Sequence, residues 1–300
     1  MLVSDAAQHD KRLLKIDISN AYCKAKRNRP PSYMRLPPHL RYGNEEGIEM
    51  VIELVTPTYG EEPAGDEWDE DVIGTLQEIG WRPAETVPSL STVHLPGGST
   101  MGLIRVVDDF LISVPRAGEA HGERTVEAMQ RKYGKVTYEW DPTSYVGWTI
   151  VRKAQHGPIM IHMAPHVEQA AKQFMPWLLT GEKNPRGRAR SSKSLQKLAD
   201  EMTLVKPAPK HLSPSQKRVQ QMTGYGRYYE ASYPRVTLPM HRLSCVNANP
   251  PQEATEVAEG MLEMAFEHRF QGLTYGGAKA PPPLALPLAA HPPMYADFWI

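Results

Sequence analysis

The sequence predicts an α+β fold, and two observations support this expectation. Short runs rich in β-branched and apolar residues occur in pairs, and the clearest pair lies at 103–107 and 110–114. Such pairs are typical of the two strands of a hairpin. Longer segments at 66–79 and 119–133 repeat apolar residues at helical spacing instead. Strands that come in hairpins, with helices between them, favour an α+β architecture.

Composition and charge narrow the class of protein. The 300 residues suffice for one large or two ordinary domains, and 41% of them are hydrophobic, enough for a real core. The formal net charge is zero, so any binding of nucleic acid must depend on local basic patches. The two cysteines, Cys23 and Cys245, lie far apart and predict neither a zinc site nor a disulfide framework, which indicates an intracellular chain. No apolar run reaches membrane-spanning length and the N-terminus lacks a signal-peptide layout, so no membrane partner is expected.

The bounds of the remaining strands and helices are predicted from the spacing of apolar residues along the chain and from the positions of Pro and Gly. Strands are predicted at 13–18, 33–36, 49–55, 89–95, 101–107, 110–114, 135–139, 144–152 and 158–162. Helices are predicted at 66–79, 119–133, 164–179, 213–231 and 251–270, with a break at Pro176.

Four regions are predicted along the chain. Residues 1–180 hold the mixed α and β elements, and 213–277 are mainly helical. Between them, 181–212 is rich in Lys and Arg with few large apolar groups, which predicts an exposed, flexible linker. Residues 278–300 form a Pro-rich spacer followed by the start of another strand.

The acids of the central hairpin are the strongest functional signal. A hairpin tip normally takes Asn-Gly or Asp-Gly, but here the tip is predicted to carry Asp108 and Asp109 without a glycine. Adjacent carboxylates repel each other unless a cation lies between them. A third acid, Asp17, ends the strand at 13–18, and such a set of carboxylates suits a two-metal phosphoryl-transfer site. The alternative is a solvated acidic turn.

Several motifs, in order, resemble the reverse transcriptases of copia-type (Pseudoviridae) retrotransposons. Residues 15–22 (KIDISNAY) look like the first palm motif, and 106–109 (VVDD) occupy the place of the Tyr-Val-Asp-Asp box. The other similar stretches are 33–38, Tyr59-Gly60 with Ala64 and Trp68, 80–83, 145–150, and the helical region from 221 to 275. The resemblance covers most of the chain.

The resemblance implies a role for each matching residue. Asp17, Asp108 and Asp109 would bind two Mg²⁺ ions, with Mn²⁺ as a substitute. Tyr22 matches a steric gate whose ring leaves no room for a ribose 2′-hydroxyl, and Gly60 matches a backbone position near the nascent base pair. The plainer alternatives are a half-buried tyrosine and a turn glycine. Trp68 is expected to be helix core.

The resemblance also implies an architecture, a reaction and partners. Residues 1–180 would be a reverse-transcriptase palm without its fingers, an antiparallel sheet with helices on one face. Residues 213–277 would be a thumb- or connection-like region, and Asp297 would belong to a ribonuclease H strand cut short. The implied activity is RNA-directed DNA polymerase, with an RNA or DNA template-primer, deoxynucleoside triphosphates and other parts of a Pol polyprotein as partners.

Three departures leave a second hypothesis open. The Lys and Arg of the family's fingers are missing upstream of Asp17, and Val106 replaces the usual Tyr. The acids Glu61, Glu62 and Asp66 are expected to repel a template strand. The alternative is therefore a catalytically dead remnant that acts, if at all, as a nucleic-acid or protein binding module. The basic cluster Lys24, Lys26, Arg27 and Arg29 would either contact phosphates or be simply solvated.

Overall fold

The computed structural model describes residues 2–45, 47–154, 157–182, 192–202 and 211–276 as a mixed α/β chain with an antiparallel central sheet. Its strands are β1 (Arg12–Ile18), β2 (Ser32–Arg35), β3 (Val51–Leu54), β4 (Arg82–Pro83), β5 (Leu90–His94), β6 (Thr100–Val106), β7 (Asp109–Val114), β8 (Val136–Trp140), β9 (Ser144–Tyr145), β10 (Trp148–Arg152), β11 (Ile159–His162) and β12 (Leu273–Tyr275). Its helices are α1 (Leu2–Gln8), α2 (Ala64–Glu78), α3 (Glu119–Tyr133), α4 (Ala164–Phe174), α5 (Trp177–Thr180), α6 (Ser192–Glu201), α7 (Pro214–Tyr229), α8 (Thr237–Cys245) and α9 (Glu253–Glu267).

The central sheet has six strands in the order β4-β5-β6-β7-β1-β8, and every neighbouring pair is antiparallel. Strand side chains alternate between the two faces. One face buries the even-numbered residues of β1, Leu14, Ile16 and Ile18, against α2 and α3. The helices contribute Trp68, Val72, Leu76, Val126, Met129 and Tyr133 to this core. The predicted layer of helices on one sheet face is therefore present.

The opposite face of the sheet is partly covered by elements that the sequence analysis did not place there. Helix α1 and the second sheet, ordered β12-β11-β10-β9, pack on Leu13 and Leu111 through Ala6, Ile150 and Ile159. Arg152 of β10 donates a hydrogen bond of 2.7 Å to the carbonyl oxygen of Lys11. Tyr145 of β9 donates a hydrogen bond of 3.3 Å to the carbonyl oxygen of Asp109, so the second sheet contacts the central sheet at both ends of β1.

A separate helical core lies in the C-terminal half of the chain. It joins α4 to α6, α7, α8 and α9, and its buried residues include Leu195, Ala199, Met222 and Met261.

Two domain predictions need correction here. The predicted linker at 181–212 contains helix α6, because Leu195 and Ala199 share a helix face that is fully buried. Helix α4 belongs to this core, although 1–180 was predicted to form one unit.

Strands β2 and β3 form a two-stranded ribbon outside both larger sheets. The ribbon and the loop that joins its strands leave many large apolar side chains exposed: Tyr33, Met34, Leu40, Tyr42, Ile48, Met50, Val51, Ile52 and Val55.

The predicted helix 164–179 is interrupted at Pro176, as expected, because proline cannot donate the helical hydrogen bond.

Some sequence predictions fall outside the described residues. The Pro-rich spacer at 278–300 and Asp297 belong to this group, as do most of the basic residues of 183–210. Among the helices that are described, none combines the length and apolar character needed to cross a membrane.

Candidate active site at the acidic hairpin

The acidic hairpin joins β6 to β7 through a turn of two residues. Val106 pairs with Asp109, so Val107 and Asp108 form the turn and Asp109 already belongs to β7. The prediction that both acids sit at the tip is therefore corrected for Asp109. Val107 has a φ of 54°, in the left-handed region that a β-branched residue rarely adopts. Such strain persists only where the surroundings hold the backbone in place.

Two hydrogen bonds hold the turn from neighbouring elements. The indole Nε1 of Trp68, a fully buried residue of α2, donates to the Val107 carbonyl oxygen over 2.8 Å. The backbone N–H of Ile18 donates to the Asp108 carbonyl oxygen over 3.1 Å. Trp68 is core, as the sequence predicted, but it also positions the backbone of the acidic turn, which the sequence analysis missed.

Asp17 lies directly across from Asp109, because β1 and β7 pair antiparallel in that register. Residues opposite each other in such a pair have Cβ atoms about 4.5–5.5 Å apart on the same face. Ile16 and Ile18 point into the helix-covered core, so Asp17 points to the other face, where it is half-buried. Asp17 and Asp109 are thus brought together at one end of the sheet, with Asp108 in the adjoining turn.

The electrostatics of Asp109 reflect this crowding. Burial raises the pKa of its carboxyl, the charge of Lys15 opposes that effect, and the charges of Asp17 and Asp108 raise the pKa further. The net pKa is raised from its ordinary value. Lys15 Nζ lies 4.0 Å from Asp109 Oδ1, and Thr137 donates a 3.4 Å hydrogen bond to Asp17 Oδ1. The sequence analysis assigned no role to Lys15 or Thr137.

The described residues contain no group of three or more His, Cys, Asp or Glu side chains arranged to hold a metal ion by themselves. The donor chemistry nevertheless fits Mg²⁺ or Mn²⁺. Mg²⁺ is usually bound through one or two carboxylates, with water and substrate phosphates as its other ligands. Asp17 and Asp109 are carboxylates on adjacent rigid strands. A cation there would relieve the repulsion that, together with the larger effect of burial, raises the pKa of Asp109.

Two tyrosines lie beside the acidic hairpin. Tyr22, in a 3₁₀ turn after β1, packs on Tyr59 with ring centroids 4.6 Å apart. The pKa of each phenol is raised, by burial first and then by nearby charges that include Asp108 in both cases. Tyr59 was quoted in the sequence motif but not proposed as a site residue. The sequence feature that could have indicated Tyr59 is its position immediately before Gly60.

Gly60 takes a φ of 96°, which explains glycine at this position. A Cβ built on it would meet no described atom within 4 Å. The backbone conformation, and not crowding by neighbouring side chains, therefore requires glycine here.

The charged residues around the start of α2 neutralise one another. Arg27 and Glu61 form an ion pair of 2.7 Å, and both side chains are largely buried. Arg29 lies 3.5 Å from Asp66. The charge of Glu61, which was expected to repel a template, is therefore balanced within the fold by Arg27. The same pair removes Arg27 from the cations free to meet phosphate.

No protein-family model and no curated protein matches this chain.

Proposed function

We propose that this chain carries the palm of an RNA-directed DNA polymerase of the copia type, acting by two-metal nucleotidyl transfer. The observation that supports this most directly is the pairing of Asp17 with Asp109, with Asp108 in the adjoining turn. A phosphoryl-transfer site needs carboxylates on a rigid frame, and strands held by ladder hydrogen bonds supply that frame.

In the proposed reaction, the 3′-hydroxyl oxygen of a primer attacks the α-phosphorus of a deoxynucleoside triphosphate. The new O–P bond forms as the bond between the α-phosphorus and the bridging oxygen of the β-phosphate breaks, and pyrophosphate leaves with that electron pair. The hydroxyl proton passes to solvent water. Bound Mg²⁺ would supply activation of the hydroxyl and neutralisation of the phosphate charge. The protein's part is to hold Asp17, Asp108 and Asp109 in place. Ile18 and Trp68 fix the turn that carries Asp108.

Tyr22 is proposed to discriminate between sugars. Its ring lies within electrostatic range of Asp108 and is backed by Tyr59 and by the start of α2, where a Cβ on Gly65 would lie 4.0 Å from the Tyr22 hydroxyl oxygen. A ring supported on two sides cannot move away easily from an added 2′-hydroxyl. Gly60 follows Tyr59 in the same loop and is proposed to line the path of the base pair.

Primer extension with the full chain, Mg²⁺ and a primed RNA or DNA template tests the proposal. We expect incorporation by the wild type and a loss of roughly 10²–10³-fold in Asp108→Asn, the usual scale for one preorganised electrostatic group. Asp200→Asn is the control, since Asp200 is a half-exposed acid of α6 that pairs with Arg242. Equal background incorporation by wild type and Asp108→Asn would contradict the proposal.

A non-catalytic remnant is the second candidate, and the apolar ribbon of β2 and β3 is the observation that favours it. Contiguous exposed apolar patches often mark a surface that binds a partner. The absence of incorporation by the wild type as well as by the variants, with the fold intact by circular dichroism, would favour this candidate over the enzyme.

A further inference from the structure

Lys15 is the charged residue of β1 that lies closest along the strand to Asp17 on the same face. Its backbone pairs with Leu111, two residues from the Asp17–Asp109 pair, so Lys15 and Asp109 are diagonal neighbours across two strands. The Lys15 ammonium lies 4.0 Å from Asp109 Oδ1. Both side chains are about one-quarter exposed, at 25% and 27%.

We propose that Lys15 is a resident counter-cation of the acidic hairpin, and that it lowers the affinity of this site for free divalent cations. The inference rests on the proposed function, because it concerns the metal that the three carboxylates would hold. Lys15 is a charge-balancing residue here and is given no contact with substrate.

The surroundings of Lys15 keep its charge at the site. Its neighbours Leu14 and Ile16 are fully buried on the helix-covered face, so the Lys15 side chain is directed to the face of the acids. The ammonium can therefore move only along that face or out to solvent. Near Asp109 it offsets part of the repulsion from Asp17 and Asp108.

A divalent ion at these carboxylates would meet the Lys15 charge as a like charge. A unit charge at 4–6 Å commonly changes a neighbouring charge equilibrium by a factor of ten or more. The partial exposure of both partners screens the effect, so the lower end of this range applies. We therefore expect removal of the charge to tighten divalent-ion binding by about tenfold.

Titration of the full chain with Mn²⁺ alone tests this inference, with the electron paramagnetic resonance signal of free Mn²⁺ as the readout. Lys15→Gln should bind Mn²⁺ about tenfold more tightly than the wild type, while Lys15→Arg, which keeps the charge, should match the wild type. Lys172→Gln is the control for net charge, because Lys172 is an exposed lysine of α4 in the helical core region. Lys15→Met, which keeps the length of the apolar stem, serves if the Gln variant does not fold.

The thermal unfolding midpoint gives a second readout. In EDTA, Lys15→Gln should unfold at a lower temperature than the wild type, because Asp109 loses its counter-charge, and Mn²⁺ should abolish this difference. Equal Mn²⁺ affinity in wild type, Lys15→Gln and Lys172→Gln would overturn the inference and leave the metal site standing. Absence of saturable Mn²⁺ binding in every variant would overturn the proposed function itself.

Discussion

At the scale of single residues, the acidic hairpin combines two features that lower stability. Asp17 and Asp109 are like charges directly opposite each other on paired strands, and Val107 adopts a backbone conformation unfavourable for valine. Natural proteins tolerate such features mainly where function requires them. Each feature gives a prediction about stability that does not depend on catalysis.

Asp109→Asn should stabilise the fold at neutral pH. Because the pKa of Asp109 is raised in the folded state, its contribution to stability is present below the ordinary value of 3.8 and is lost as pH rises through the folded pKa. The variant should therefore exceed the wild type in free energy of unfolding at pH 7 by roughly 0.2–1 kcal/mol, the scale of one cross-strand pair. Urea denaturation between about pH 3 and 7 measures the difference, which should shrink toward acid. A variant less stable than the wild type at pH 7 would contradict this account.

Val107→Gly and Val106→Gly should differ in their effects on stability. Both valines are well exposed, at 38% and 41%, so little packing is lost in either case. Glycine removes the left-handed strain at 107, worth about 1–2 kcal/mol, against an entropic cost of about 0.5–1 kcal/mol. At position 106, which has ordinary strand geometry, only the entropic cost of glycine remains. Denaturation should therefore show an unchanged or higher free energy of unfolding for Val107→Gly and a lower one for Val106→Gly. Equal losses in the two variants would show that Val107 is not strained.

At the scale of elements, α2 fixes the hairpin through one indole. Trp68→Phe keeps most of the buried ring but removes the hydrogen bond to Val107, at a cost of about 0.5–1.5 kcal/mol. Trp81→Phe is a matched control, because Trp81 is also buried and donates its Nε1 to Thr125 within the same core. Amide hydrogen exchange at Ile18, which donates to Asp108, should speed up in Trp68→Phe and stay nearly unchanged in Trp81→Phe. Similar exchange in both variants would show that the turn does not depend on α2.

Helix α6 gives a test at the same scale in the other core. Leu195 is fully buried and packs against Gly260 of α9, so Leu195→Ala should cost about 2–5 kcal/mol of stability. Lys197→Ala, at an exposed position of the same helix, should change stability by less than about 0.5 kcal/mol. Chemical denaturation distinguishes the two. A negligible effect of Leu195→Ala would support the flexible linker that the sequence predicted.

At the scale of the whole molecule, the sequence predicts local structure better than packing between distant segments. The runs at 103–107 and 110–114 form the expected hairpin because adjacent strands pair through a short turn. The pairing of β1 with β7 and β8 joins residues about a hundred positions apart, so apolar period alone could not place Asp17 opposite Asp109 or Lys15 beside it. Helix α6 was missed because the basic residues around it outweighed the short apolar face of Leu195 and Ala199.

Because the sheet and the C-terminal helices have separate cores, a bound metal ion is expected to stabilise one of them and not the other. An ion that binds only the folded state stabilises the elements that hold its ligands. Asp17, Asp108 and Asp109 belong to the sheet and the hairpin. Among the described residues, the clusters on the two faces of this sheet share no buried residue with the core of α4 and α6–α9. Added Mg²⁺ should therefore slow amide hydrogen exchange in β1 and β7 and leave α7 and α9 almost unchanged.

Asp17→Asn combined with Asp109→Asn is the control for this experiment, since it removes the paired carboxylates while keeping the side-chain shape. The double variant should show no response to Mg²⁺ in β1 or β7. Equal slowing in the sheet and in α7 and α9 would indicate a general salt effect, because screening acts on charges throughout the surface. Slowing confined to β1 and β7, and abolished in the double variant, would instead locate the ion between the two strands that bring Asp17 and Asp109 together.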